Sequence, residues 1–178
     1  MMKRFVSLVL AVLSGVSMQV LAQGILQLGG PEKPYETGET DIKRWKEESL
    51  KLPDFPENAY LQEFFVSGAA RNVFMVDTRA LTFGDDHVAR FVLVIETPSG
   101  VRNVFYEGIR CDTGFYKIYA TGGAGGNWQL THSDDWRDIQ YAGVNRYHGA
   151  LWKEYLCEGG FPLPKDKVIS LMKEGVRH

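Results

Sequence analysis

Only two of the 178 residues are cysteine, Cys111 and Cys157, and they are far apart. This scarcity excludes the C-x-x-C pair that redox catalysis places at a helix start, and it leaves no cysteine near the amino terminus to carry a lipid anchor. Other chemistry-bearing patterns are missing too. There is no G-x-S-x-G elbow for acyl transfer, and His87, His132, His148 and His178 lack the H-x-x-x-H or H-E-x-x-H spacing of a zinc site. The glycine run Gly122 to Gly126 lacks a Gly-Lys-Ser/Thr ending and a complete G-x-G-x-x-G, and it leads into Asn127-Trp128-Gln129-Leu130 instead of a helix. It therefore predicts a long hairpin loop, not a phosphate cradle. Glu107 and Asp134 are carboxylates that a glycosidase mechanism could pair, but any acidic chain offers such pairs. The expectation is no catalytic motif, no metal ligands and no cofactor.

Strong charge of one sign is also absent. With 20 basic and 22 acidic residues the net charge is −2, a balance that argues against nucleic acid or an anionic membrane surface as the main partner. The chain is 44% hydrophobic and 12% aromatic, enough for one domain that buries a substantial core.

What the chain does have begins with its first residues. Lys3 and Arg4 form a basic start, Phe5 to Val16 an apolar run, and Val20-Leu21-Ala22 a small-residue cleavage site. Ser7, Ser14, Gly15, Ser17 and Gln19 interrupt the stretch that a bilayer span would need to keep apolar over about 20 residues. Residues 1–22 are therefore expected to be an export signal and 23–39, with Gly29-Gly30-Pro31 and Pro34, a flexible leader. Residues 40–178 are expected to form a single domain, periplasmic after cleavage, with no stable membrane span and no lipid anchor. In an oxidising compartment the two cysteines predict one disulfide, Cys111 to Cys157.

Local patterning predicts an α+β fold: a mainly antiparallel sheet of about five or six strands, packed on one face by C-terminal helices. Thr40 or Asp41 can cap a helix running to about Leu50, with Ile42, Trp45 and Ser49 on one side, ended by Pro53 and Pro56. Strands are expected at Tyr60 to Val66, Val73 to Val76 and Ala80 to Phe83, the last followed by the turn Gly84-Asp85-Asp86.

The strongest signal is a hairpin, Val88 to Glu96 and Val101 to Ile109, around Thr97-Pro98-Ser99-Gly100. Proline second and glycine last suit a type I turn with a left-handed bulge residue, which pairs Thr97 with Val101. That register sets Glu96 opposite Arg102, Val94 opposite Val104 and Val92 opposite Tyr106 on one face. Phe91, Leu93 and Ile95 fall on the other, with Asn103, Phe105, Glu107 and Ile109. Glu107 then faces Phe91 and needs a partner, for which Arg71, Arg79 and Arg110 are the candidates.

Beyond the hairpin, Tyr116 to Thr121 reads as a strand with Tyr116, Ile118 and Ala120 alternating against Lys117 and Tyr119. Ser133 to Arg137 reads as one helical turn that tucks Trp136 into the core. Tyr147 to Leu156 reads as a helix with His148, Leu151, Trp152, Tyr155 and Leu156 on a broad face, His148 as a packed core histidine among them. Cys157 lies off that face, so either the helix stops before it or the segment is clasped on two sides. Pro164 starts a last helix with Val168, Leu171 and Met172 as its stripe and Gly175 as its stop.

One group of residues carries a resemblance. It comprises Val76-Asp77, Gly84 to Asp86, Arg90 through Gly100, Asn103-Val104, Tyr106-Glu107-Gly108-Ile109-Arg110-Cys111, Tyr116 to Ala120, Trp136, and Tyr147-His148 through Tyr155-Leu156-Cys157. Over roughly Phe74 to Cys157 the chain resembles the cryptic neisserial protein-like family, small envelope proteins of Gram-negative bacteria. The resemblance implies a periplasmic location and lends no catalytic residue. Many such proteins are described as lipoproteins, whereas here the lipidation cysteine is missing.

Two functions remain in view. The preferred one is a non-enzymatic envelope protein that binds a partner protein or polymer, with Glu107, Arg110, Trp128, Trp136 and Tyr141 as candidate contacts. The alternative is a hydrolase acting on cell-wall or other envelope polymers through acidic residues.

Overall fold

A computed structural model describes residues 45–141 and 146–175; the expected export signal, the expected leader and the first part of the expected 40–50 helix lie outside them. The predicted hairpin is the centre of the structure. Strand β4 (Val88–Glu96) pairs antiparallel with β5 (Arg102–Arg110), with Glu96 opposite Arg102, Val94 opposite Val104, Val92 opposite Tyr106 and Phe91 opposite Glu107. The turn closes as its residues demand. Gly100 N donates to Thr97 O and Thr97 N to Val101 O, each at 2.9 Å, while Gly100 takes a φ of 80° that only glycine adopts cheaply.

Around this pair the sheet grows to eight strands. Further members are β1 (Leu61–Glu63), β2 (Val73–Asp77), β3 (Thr82–Phe83), β6 (Phe115–Gly122), β7 (Trp128–Leu130) and β8 (Arg137–Asp138). The main order is β1-β2-β4-β5-β6-β7, with β3 on β4 and β8 on β6. The two strands beyond the expected six are β7 and β8, three and two residues long and too short to show an alternating pattern. The glycine run is a hairpin loop, with Gly122 opposite Trp128 and Gly123 N bonded to Asn127 O.

One face of the sheet carries the larger core. Phe91, Leu93 and Ile109 meet Leu151, Leu156, Val168 and Met172 there, all fully buried. Each such side chain contributes about 1.5–3 kcal/mol. The covering elements are α1 (Tyr147–Ala150), which widens into a π-helical turn over Leu151–Leu156, and α2 (Lys165–Gly175). Helical structure stops before Cys157, which is extended at φ −129° and ψ 141° and so reaches Cys111 at the end of β5. From there β9 (Cys157–Glu158) turns at Gly159-Gly160 into β10 (Phe161–Pro162).

The opposite face differs from expectation. Residues 45–50 are not helical; together with 51–57 they form an irregular strap over a second cluster of Ala80, Val92, Tyr106, Tyr119 and Ala120. The alternation in β6 also breaks. Tyr106 pairs with Ala120 but Glu107 with Ile118, so Tyr119 is an extra residue, a β-bulge that puts Tyr119 and Ala120 in one cluster. Thr131 fastens this bulge, its N–H and its hydroxyl both bonding Tyr119 O. Residues 133–136 make no helical turn, and Trp136 is half-buried beside the strap.

Candidate functional site

Register forces charged side chains into both layers of the sheet. On the helix-covered face Glu107 has no exposed surface, and its partners are none of the three arginines. His148 Nε2 lies 2.8 Å from Oε2, and Tyr147 Oη donates to Oε1 at 3.3 Å. The imidazole stacks on Tyr116 at 3.7 Å between centroids. Burial, then the Glu107 charge, pushes the Tyr147 phenol well above its ordinary value. Arg79 instead pairs with Asp77 and Glu57, and Arg110 with Asp112; Arg71 is exposed.

On the strap-covered face the central pair is Arg90 and Asp86. The guanidinium forks onto the carboxylate at 3.2 and 2.5 Å. Burial alone would raise the Asp86 carboxyl, but Arg90 and the N–H groups of Glu48 and Val88 outweigh it and hold it below its ordinary value. Burial likewise opposes the Arg90 charge, and Asp86 reverses that effect. Arg90 Nε is buried with no partner, an orphan donor of a kind that costs about 1–3 kcal/mol.

Strap residues close this layer through side chains. Trp45 Nε1 donates to Asp86 O at 2.8 Å, Glu48 accepts from Asp85 N, and Glu47 accepts from Lys117 Nζ at 3.2 Å and Tyr119 Oη at 2.7 Å. Burial and the bond to Glu47 raise the Tyr119 phenol strongly. Tyr106 Oη donates to Lys51 O and Trp128 Nε1 to Pro53 O. Between strap and sheet lies a cleft of about 420 Å³, floored by Ala80, Arg90 and Tyr106, walled by Leu52, Pro53 and Phe83, with Glu48, Lys51, Asp54 and Arg79 around it. Lys51 and Asp54 form no ion pair among the described residues.

The five candidate contacts do not converge. Trp128, Trp136 and Arg110 all meet the strap: Trp128 packs on Phe55 at 5.2 Å, Trp136 on Trp45 at 5.8 Å, and the Arg110 guanidinium lies 4.0 Å over the Trp45 ring. Glu107 lies in the other layer, and Tyr141, 42% exposed, stacks on Trp152 beneath Lys153. Neither Glu107 nor Arg110 lines the cleft. Sequence reasoning missed Asp86, Arg90, Lys51 and Asp54. Arg90 could have been found by the argument that singled out Glu107, since it is the lone charge within the apolar run of β4.

The model of one protein family matches residues 40–173. The chain belongs to the CNP1-like family. The CNP1-like match reaches beyond the segment that carried the resemblance, and it takes in the strap at one end and most of α2 at the other. No curated protein and no solved structure gives a significant match. Among the described residues of this CNP1-like protein, no helix is long and apolar enough to cross a membrane and no cluster of three or more His, Cys, Asp or Glu could hold a metal ion.

Proposed function

We propose that this chain is an exported periplasmic protein of the Gram-negative envelope, akin to the cryptic neisserial protein, that binds a ligand without turning it over. The binding site is the cleft floored by Arg90 and Tyr106. The observation that carries this reading is a concave, partly apolar space with convergent polar groups: Lys51 and Asp54 without ion-pair partners among the described residues, and Arg90 with an unsatisfied Nε. Cations and anions both border the cleft, so the ligand class is a small zwitterion such as a short peptide with free ends. Export is supported by the basic, apolar and small-residue order of residues 1–22 and by the disulfide, which persists in oxidising compartments. Polymer hydrolysis through Glu107 draws no support from its position, since the carboxylate has no exposed surface.

The test is an NMR titration of the mature protein with trialanine, with its N-acetylated C-amide, and with a soluble peptidoglycan digest. Saturable shifts at Lys51, Asp54 and the Arg90 Nε–H with trialanine, lost when both ends are capped, are expected. Lys51→Ala should weaken binding about tenfold, the worth of one charge-assisted hydrogen bond. No shifts at millimolar peptide, or new products from the digest, would overturn the reading. Cell fractionation tests location, and intact protein in the cytosol with titratable thiols would contradict export.

A further inference from the structure

The strap is not a strand. Residues 45–56 make no backbone-to-backbone hydrogen bond to the sheet among the described residues, and every tie described above runs through a side chain. Its sequence explains this. Pro53 and Pro56 have no N–H to offer a ladder, and each restricts the preceding residue, Leu52 or Phe55, to extended backbone.

Such a segment can be recognised only through its carbonyls and rings, and the floor beneath supplies partners for both. Tyr106 Oη donates to Lys51 O at 3.3 Å and Trp128 Nε1 to Pro53 O at 2.8 Å, carbonyls two residues apart. The Phe55 ring lies on Trp128, and Trp128 in turn lies 6.3 Å from Tyr106. Phenol and indole donors on an aromatic floor are the chemistry by which grooves hold proline-rich segments.

The segment also underfills its track. The 420 Å³ cleft borders residues 48–54, and a second groove of about 540 Å³ borders Phe55 and Pro56 and reaches the Gly122–Gly126 loop. Leu50 and Leu52 remain exposed.

We propose that the groove floored by Tyr106 and Trp128 is a receptor for extended, proline-containing protein segments, and that residues 51–56 occupy it in cis. The partner in trans is an envelope protein segment with the same pattern: an apolar residue, proline, two residues of which the second is aromatic, then proline. This rests on the reading of the chain as a binding protein but assigns a different occupant to the adjoining groove, which shares Tyr106 with the cleft. The tethered segment competes at an effective concentration on the order of millimolar, so a free peptide binds well only when the strap is loosened.

The probe is a synthetic peptide of residues 49–57, beside a version with both prolines replaced by alanine, added to the full mature chain. Pro53→Ala with Phe55→Ala loosens the strap for the probe titration, while the trialanine titration uses the unaltered chain, in which the cleft lined by Lys51, Pro53 and Asp54 is intact, so the two readings fail separately. The loosened chain should bind the probe at least tenfold more tightly than the unaltered one, shift the Trp128 indole N–H, and lose at least tenfold with the proline-free peptide. Adding Trp128→Phe should abolish binding. A folded double variant that ignores the probe, or a dimer formed by exchange of straps between copies, overturns the proposal. Should the double variant not fold, hydrogen exchange on the unaltered chain decides. The Glu48 amide, which donates to Asp86, and the Trp128 indole N–H should exchange through an opening separate from global unfolding, and exchange only through global unfolding overturns the proposal.

Discussion

His148 Nε2 sits 2.8 Å from Glu107 Oε2, joining the first turn of α1 to the middle of β5 through a carboxylate with no exposed surface. Removing the imidazole leaves a buried acceptor with only the longer Tyr147 bond and also deletes the ring stacked on Tyr116. His148→Ala should therefore destabilise the fold by about 3 kcal/mol, and Glu107→Gln, which keeps the shape and a hydrogen-bonding amide, by about 1 kcal/mol. Urea unfolding monitored by tryptophan fluorescence checks both values. A Glu107→Gln effect as large as that of His148→Ala would show that the charge, and not the packing, carries the interaction.

Stability should fall at both ends of the pH scale, for opposite reasons. Asp86 has a carboxyl held below its ordinary value, so the folded state keeps it ionised at a pH where the unfolded chain has taken up a proton. Its contribution is present above about pH 4 and is lost as pH falls further. Tyr119 and Tyr147 are pushed up, so the folded state retains phenol protons that the unfolded chain releases. Their contribution is intact below about pH 10 and is lost above it. Thermal unfolding across pH should show both limbs, and Asp86→Asn should flatten the acid one.

Gly108 leaves room for a ring. A Cβ at this position would lie 2.5 Å from Tyr119 Oη and 2.9 Å from its Cε2, and Tyr119 cannot simply swing aside because Glu47 accepts its hydroxyl proton at 2.7 Å. Gly108→Ala should cost about 1–3 kcal/mol through overpacking and should detach the Glu47 end of the strap. Chemical shifts of residues 45–48 report the second effect. A variant as stable as the parent with unmoved strap resonances would contradict this geometry.

The Cys111–Cys157 bond closes a loop with a sequence separation of 46 residues. On chain-entropy grounds, replacing both cysteines by alanine should lower stability by about 4 kcal/mol. Denaturant titration of the variant against the oxidised parent measures it. A loss confined to local exchange around β9, with the global midpoint unchanged, would show that the bond staples only the C-terminal hairpin.

Where a pattern is local, the sequence was a good guide. The Thr97 to Gly100 turn set the register of nine cross-strand pairs, and that register alone placed Glu107 opposite Phe91. Its partner was harder to see because His148 is 41 residues away and charge complementarity favoured an arginine. The Trp45 segment misled for a different reason. Its spacing fits a helix, but Trp45 and Glu47 are fixed by Asp86, Lys117 and Tyr119, contacts that no local pattern encodes. The bulge at Tyr119 was equally hidden, since one extra residue leaves no mark in a run of alternating aromatics and aliphatics.

That bulge also limits how the gene can change. Deleting Tyr119 would straighten β6 without moving any other pair, since Ala120 is already opposite Tyr106, Ile118 opposite Glu107 and Lys117 opposite Gly108. The strap, however, would lose the phenol that bonds Glu47. Insertions at the exposed Ala124 to Asn127 tip would disturb nothing of this kind, so variation in length belongs in that loop and not at the bulge five residues before it.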